Sequence, residues 1–174
     1  MAFNYPAYLQ PLPYYSLPPQ QEVIQRAWTA KTAGKKIVIA SGVFDLLHEA
    51  HKTYLQKAKE QGDYLIVLLE SDIRTKELKG PDRPVWDQNK RKEEIMKLGF
   101  VDDVLILPPE FKNPLRYEEI VILLAPNVFA VSSNSVALDH KKNLMEKYGG
   151  EMHVVLDEIP GVSTTTVLQS RGVQ

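Results

Sequence analysis

KIVIASGVFDLLHEAHKTYLQKAKEQGDYLIVLLE, residues 36–70, carries two continuous apolar runs around one amphipathic segment. The runs, KIVIAS and DYLIVLLE, are short, β-branched-rich and barely interrupted by polar positions. A strand buried on both faces reads this way, as in a parallel sheet. Between them, HKTYLQKAKEQG sets Tyr54, Leu55 and Ala58 on one helical face and stops at Gly62. Strand, helix, strand in so short a span predicts a parallel pair joined by a right-handed crossover.

The same alternation extends both ways. QQEVIQRAWTAKTAG, from Gln20, predicts a helix closed by Gly34. After residue 70, KELKGPDRPVW reads as a polar loop and DQNKRKEEIMKLGF as a helix capped by Asp87. VDDVLILP, NVFAVS and EMHVVLDE predict three more strands. The intervening helices are LRYEEIVILLAP, broken at Pro126, and VALDHKKNLMEKYGG, ending in glycines. STTTVLQSR predicts a last helix that starts at a serine. The expected fold is α/β: a Rossmann-like, doubly wound, five-stranded parallel sheet with helices on both faces.

Residues 1–19 differ from the rest, and the single domain is expected over residues 20–174. MAFNYPAYLQPLPYYSLPPQ holds five prolines and four tyrosines, a composition for an extended arm rather than a sheet element. Two readings stay open: a floppy terminus, or an arm whose rings pack on its own domain or on a partner subunit.

Composition narrows the function. The chain has 174 residues, enough for one domain with a real core. Its net charge of -1 shows no basic excess, so a duplex nucleic-acid partner is not expected. Without cysteine there is neither a disulfide scaffold nor a cysteine-based zinc site. No apolar run approaches the ~20 residues that cross a bilayer, and the N-terminus has no signal-peptide pattern. The expectation is a cytoplasmic protein without a membrane partner.

In open parallel sheets, ligands bind beyond the carboxyl ends of the strands. After the first strand comes GVFDLLHEAH, with His48 and His51 at a helix start. Helix N-termini attract anions, and two imidazoles there can donate to a phosphate. A zincin site needs histidines four apart with glutamate next to the first; these are three apart. After the second strand, Arg74, Lys76, Lys79, Arg83, Lys90 and Arg91 fall within eighteen residues. After the fifth comes PGVSTTTV, where Ser163 would cap a helix. Each element alone has a bland reading: helix residues, a solvated basic loop, a cap. Together at one sheet edge they favour a nucleotide-phosphate site. Neither a Walker A sequence nor G-x-G-x-x-G is present. His140 and His153 stand apart and read as surface or packing residues. Asp45 reads equally as a structural acceptor or as a partner to a site residue.

GVFDLLHEAH resembles the HxGH signature of the nucleotidyltransferase (cytidylyltransferase-like) superfamily. LKGPDRPV followed by Arg91 resembles its K-x-x-x-R-P loop, and GVSTTTV its closing STT helix start. The resemblance runs from about residue 36 to 171. Among branches it is nearest the adenylyltransferase domain of bifunctional ADP-heptose synthase, with glycerol-3-phosphate cytidylyltransferase and archaeal-type FAD synthase as near relatives.

That resemblance implies transfer of AMP from ATP to a small phosphorylated acceptor such as a sugar 1-phosphate, releasing pyrophosphate. A CTP-dependent or FAD-synthase-like transferase, or a catalytically reduced nucleotide sensor, are the alternatives. It implies catalytic roles for His48, His51, Lys79 and Arg91. It implies nucleotide contacts from Gly42, Val43, Phe44, His48, His51, Arg83, Gly161, Val162, Ser163, Thr164 and Thr165. Mg²⁺ would accompany the nucleotide, no protein metal site is expected, and the chain would form a homodimer. Three departures stand out: Ala50 replaces the signature glycine, AVSSNSVALD replaces a KGGD or GDD stretch after the fourth strand, and DEIPGVSTT lacks the arginine of glycerol-phosphate cytidylyltransferases.

Overall fold

The computed structural model describes residue 7, residues 12–112 and residues 115–157. Its centre is a five-stranded parallel sheet: β1 (Ile37–Gly42), β2 (Tyr64–Leu69), β3 (Asp103–Ile106), β4 (Val128–Ser132) and β5 (Glu151–Leu156). The strand order is β3-β2-β1-β4-β5. The chain winds outward from β1 to β3 and then returns to the other side of β1. The switch point therefore lies between β1 and β4, which pair Ala40 with Ala130. Both segments of the opening stretch are adjacent parallel strands, Ile37 against Tyr64 through Gly42 against Leu69.

Helices cover both faces. α1 (Pro18–Thr32), α5 (Leu115–Leu124) and α6 (Leu138–Lys147) pack with Ile39, Leu68 and Phe129. α2 (Glu49–Lys59) and α4 (Gln88–Met96) pack on Val38, Val67 and Ala130. Alternate residues of each strand feed the two cores, so the runs are apolar throughout.

The structure corrects two expectations. DIRTKELK is not loop but α3 (Asp72–Lys79), started by the Ser71 hydroxyl accepting from the Arg74 N–H and ended at Gly80, φ +108. It buries only Thr75, so it has no apolar stripe to announce it. The first helix starts at Pro18 rather than Gln20, because proline fits the first turn, whose N–H groups have no intrahelical partner. Ahead of it a 3-10 turn, Pro13–Ser16, buries Tyr15, and the Tyr14 hydroxyl donates to the Ile106 carbonyl at 3.1 Å. From residue 12 onward the arm packs on its own domain. Arg26 grips Asp103 at 2.7 Å, and the Trp28 indole donates to the Leu123 carbonyl at 2.7 Å.

Candidate active site

The turn after β1 is tight. Phe44 has φ +47, a conformation non-glycine residues rarely take. Its ring is buried edge-on to His51 and stacked on Tyr54, which holds the strained backbone in place. A Cβ on Gly42 would come within 2.8 Å of that ring. The glycine expected for a close approach is thus required by Phe44.

His48 is the N-cap of α2; its Nδ1 accepts from the His51 N–H at 3.4 Å. The His51 Nδ1 lies 3.2 Å from the Leu46 carbonyl. A carbonyl only accepts, so His51 carries its proton on Nδ1 and leaves Nε2 bare; His48, accepting on Nδ1, carries its proton on Nε2. The rings stack with centroids 3.7 Å apart. Burial, then the His48 charge, push the His51 imidazole down to about 4; burial also lowers His48. Both are neutral near pH 7. A polyphosphate would meet one N–H donor, from His48, and one unprotonated ring nitrogen, on His51.

Lys79, the exposed last residue of α3, is close enough to depress the His51 imidazole further. It is the cation of the sequence-predicted set that the fold leaves exposed beside the histidines. Arg83 and Arg91 turn inward. Arg83 pairs with Asp45 at 2.6 Å. The other Asp45 oxygen accepts from the Val85 N–H at 2.7 Å. Asp45 is therefore both a structural acceptor and a partner to a site residue. Arg91 is fully buried, and its guanidinium donates to the Trp86 carbonyl at 3.0 Å, the Val43 carbonyl at 2.6 Å and Asp72 at 2.7 Å. It joins the β1–α2 turn to α3 and to the segment before α4. In this geometry it positions the turn rather than presenting charge at the surface. Gly161, Val162, Ser163, Thr164 and Thr165 lie outside the described residues. Of the other two histidines, His153 bonds to Gln61 and Glu151, each at 2.8 Å, on the β5 side of the sheet.

Sequence reasoning missed the polar group at the end of β2. Glu70 is buried there, and its N–H donates to the Gly42 carbonyl at 3.1 Å. Burial raises its carboxyl to about 7 despite Arg74, Lys141 and Arg91 nearby. Its only sequence signal is an acid directly following an apolar strand.

A histidine pair on a helix start at the switch point of a parallel sheet is paired here with a family match. Residues 39–169 fit the family model described as "Cytidylyltransferase-like". The chain belongs to the cytidylyltransferase-like family. It is 38% identical over 139 residues to the bifunctional protein HldE of Geobacter metallireducens, covering 79% of this chain and 27% of that protein. To the HldE of Syntrophotalea carbinolica it is 34% identical over 137 residues, 78% of this chain and 27% of the relative. It thus spans about a quarter of the length of these relatives. Among solved structures, the lipopolysaccharide core biosynthesis protein of Thermoplasma volcanium matches with TM-score 0.58 and 25% identity, over 75% of this chain and all of that one. Pantoate-beta-alanine ligase of Francisella tularensis shares the fold at TM-score 0.57 and 15% identity, over 84% of this chain and 70% of that one. Ala50 lies in the first turn of α2, inside the helix rather than at a strained position.

Proposed function

We propose that this chain is a nucleotidyltransferase that moves AMP from ATP onto a phosphorylated sugar-like acceptor, releasing pyrophosphate. The observation that carries the reading is the stacked His48–His51 pair at the start of α2, at the switch point, with Lys79 beside it. The acceptor phosphate attacks the α-phosphorus of ATP; one P–O bond forms as the bond to pyrophosphate breaks. His48 donates through Nε2 to a phosphate oxygen. His51, protonated on Nε2 once the tetra-anion is bound, neutralises charge that grows on the transferring group. Lys79 faces the leaving pyrophosphate. No covalent nucleophile is needed, and catalysis is positioning plus electrostatics. Similarity to ADP-heptose synthase supports ATP and a sugar 1-phosphate over CTP.

Among the described residues no group of three acidic or histidine side chains could hold a metal. Mg²⁺ would arrive on the triphosphate, held by phosphate oxygens and water, as this hard ion prefers. A homodimer and a cytoplasmic setting belong to the same proposal and rest on the family resemblance. No helix among the described residues is long and apolar enough to cross a membrane.

Pyrophosphate release, measured over the four NTPs and a panel of sugar phosphates, tests this. Turnover is expected with ATP, and H48A should lower kcat by about 100-fold or more while changing ATP affinity far less. Tight ATP binding with no turnover on any acceptor would establish instead a nucleotide sensor. The SSNS sequence where relatives carry acid and glycine favours that second reading.

A further inference from the structure

Arg83 and Arg91 both reach the β1–α2 turn, but their guanidinium groups end differently. Arg91 gives its three nitrogens to the Trp86 and Val43 carbonyls and to Asp72. Arg83 meets one side chain among the described residues: its Nε lies 2.6 Å from the Asp45 Oδ2. Solvent reaches neither atom, and the N–H is out of line with the oxygen, so charge rather than an aligned hydrogen bond holds the pair. The two terminal nitrogens of Arg83 have no partner among the described residues and stay open to solvent, on a side chain that is 14% exposed.

Asp45 has nothing more to offer them. Its other oxygen accepts from the Val85 N–H at 2.7 Å and the Trp86 N–H at 3.4 Å, which ties the segment after α3 to the turn. Asp45 follows Phe44, whose φ is +47, and stands three residues before His48. The guanidinium is thereby anchored at the turn that carries the histidine pair. As a structural bridge alone, a buried pair without alignment and with two unused donors is poorly satisfied. The outer edge of a guanidinium matches two oxygens of one phosphate, in a plane that the Nε contact leaves accessible. A second anion at that edge completes Arg83.

We infer that Asp45 is a positioning residue that aims Arg83 at a substrate phosphate, whose oxygens the two terminal nitrogens of Arg83 receive. This rests on the proposed nucleotidyl transfer and adds the device that orients one of its cations. The phosphate belongs to the nucleotide or to the acceptor, and binding tells the two apart. Asp45 itself touches no substrate, since its side chain is 1% exposed and both oxygens are engaged.

The test is a double-mutant cycle on the full chain. D45N keeps an oxygen for the Val85 and Trp86 N–H groups and removes the charge that holds Arg83; R83Q removes the fork. Calorimetry with ATP and with pyrophosphate, the KM of the sugar phosphate that turns over best, and urea midpoints are measured for each. R83Q should weaken one of these ligands by roughly 10-fold to 100-fold, the loss of a charged hydrogen bond or two. D45N should weaken the same ligand by at least about fivefold in wild type but by less than about twofold in R83Q, because it acts through Arg83. R83K, which keeps the charge and loses the fork, should fall between wild type and R83Q. Weaker ATP and pyrophosphate put the fork on the nucleotide; a raised acceptor KM with ATP binding unchanged puts it on the acceptor. Equal effects of D45N in both backgrounds overturn the inference, and so does R83Q that binds every ligand like wild type; in either case turnover leaves nucleotidyl transfer standing. Wild type that binds neither ATP nor pyrophosphate overturns both. If D45N does not fold, R83K and R83Q decide: unchanged binding in both overturns the aimed fork, and graded loss supports it.

Discussion

Replacing Arg91 separates a positioning role from a direct role on phosphate. Its three nitrogens hold the carbonyls of Val43 and Trp86 and the carboxylate of Asp72. In R91A both carbonyls lose a charged donor, about 1.5–3 kcal/mol each. Asp72 is a third exposed and recovers water, and water entering the vacated space offsets part of the rest. The net loss should be about 3 kcal/mol, a drop in Tm of roughly 6–12 °C for a domain of this size. R91K keeps the charge and can reach one partner of the three, so it should lose about 2 kcal/mol. Both variants should also lower kcat, because Val43 lies five residues before His48 and the turn carries the histidine pair. Urea unfolding followed by circular dichroism, beside steady-state kinetics with ATP, measures the two effects together. If R91K unfolds at the wild-type midpoint while its ATP KM rises, Arg91 reaches phosphate and the buried clamp is not its role.

Two further outcomes follow from the same turn. The unfolded chain protonates His51 near 6.5, the folded chain only near 4. Wild type should therefore lose stability as pH falls through that window, roughly 2 kcal/mol between pH 7 and 5; H51Q should lose less by that amount, and parallel profiles would refute the buried neutral imidazole. A50G removes a methyl from the first turn of α2 and should cost about 0.5–1 kcal/mol of stability. If the methyl crowds the nucleotide, the same variant lowers ATP KM; an unchanged or higher KM refutes the crowding.

Most of the fold was legible because both halves of the pattern are local. Short, β-branched-rich apolar runs such as YLIVLL, bounded by polar residues, fit strands covered on both sides, and the helices between them have either an apolar face or a cap, as Asp87 shows by accepting from Asn89 and Lys90. α3 was illegible by that criterion. It is held by a Ser71 cap and by Asp72, whose partner Arg91 lies on another helix. Periodicity finds helices that bury a face; α3 buries one threonine.

The site divides along the same line. His48 and His51 were legible because an N-cap and its third residue are local, and the spacing alone sets their rings together. The arginines were legible as cations but not as to direction. Whether Arg91 faces water or protein depends on Val43 and Asp72, 48 and 19 positions away, as well as on the nearby Trp86 carbonyl. Glu70 and Lys141 come from opposite sides of the switch point, one at the end of β2 and one on the helix after β4. Each looks like an ordinary charged surface residue until the strand order brings them beneath one sheet edge. A sequence thus displays a grouping that belongs to one turn, like the histidine pair, and conceals one that the crossovers assemble from several elements, like this buried carboxylate and its lysine.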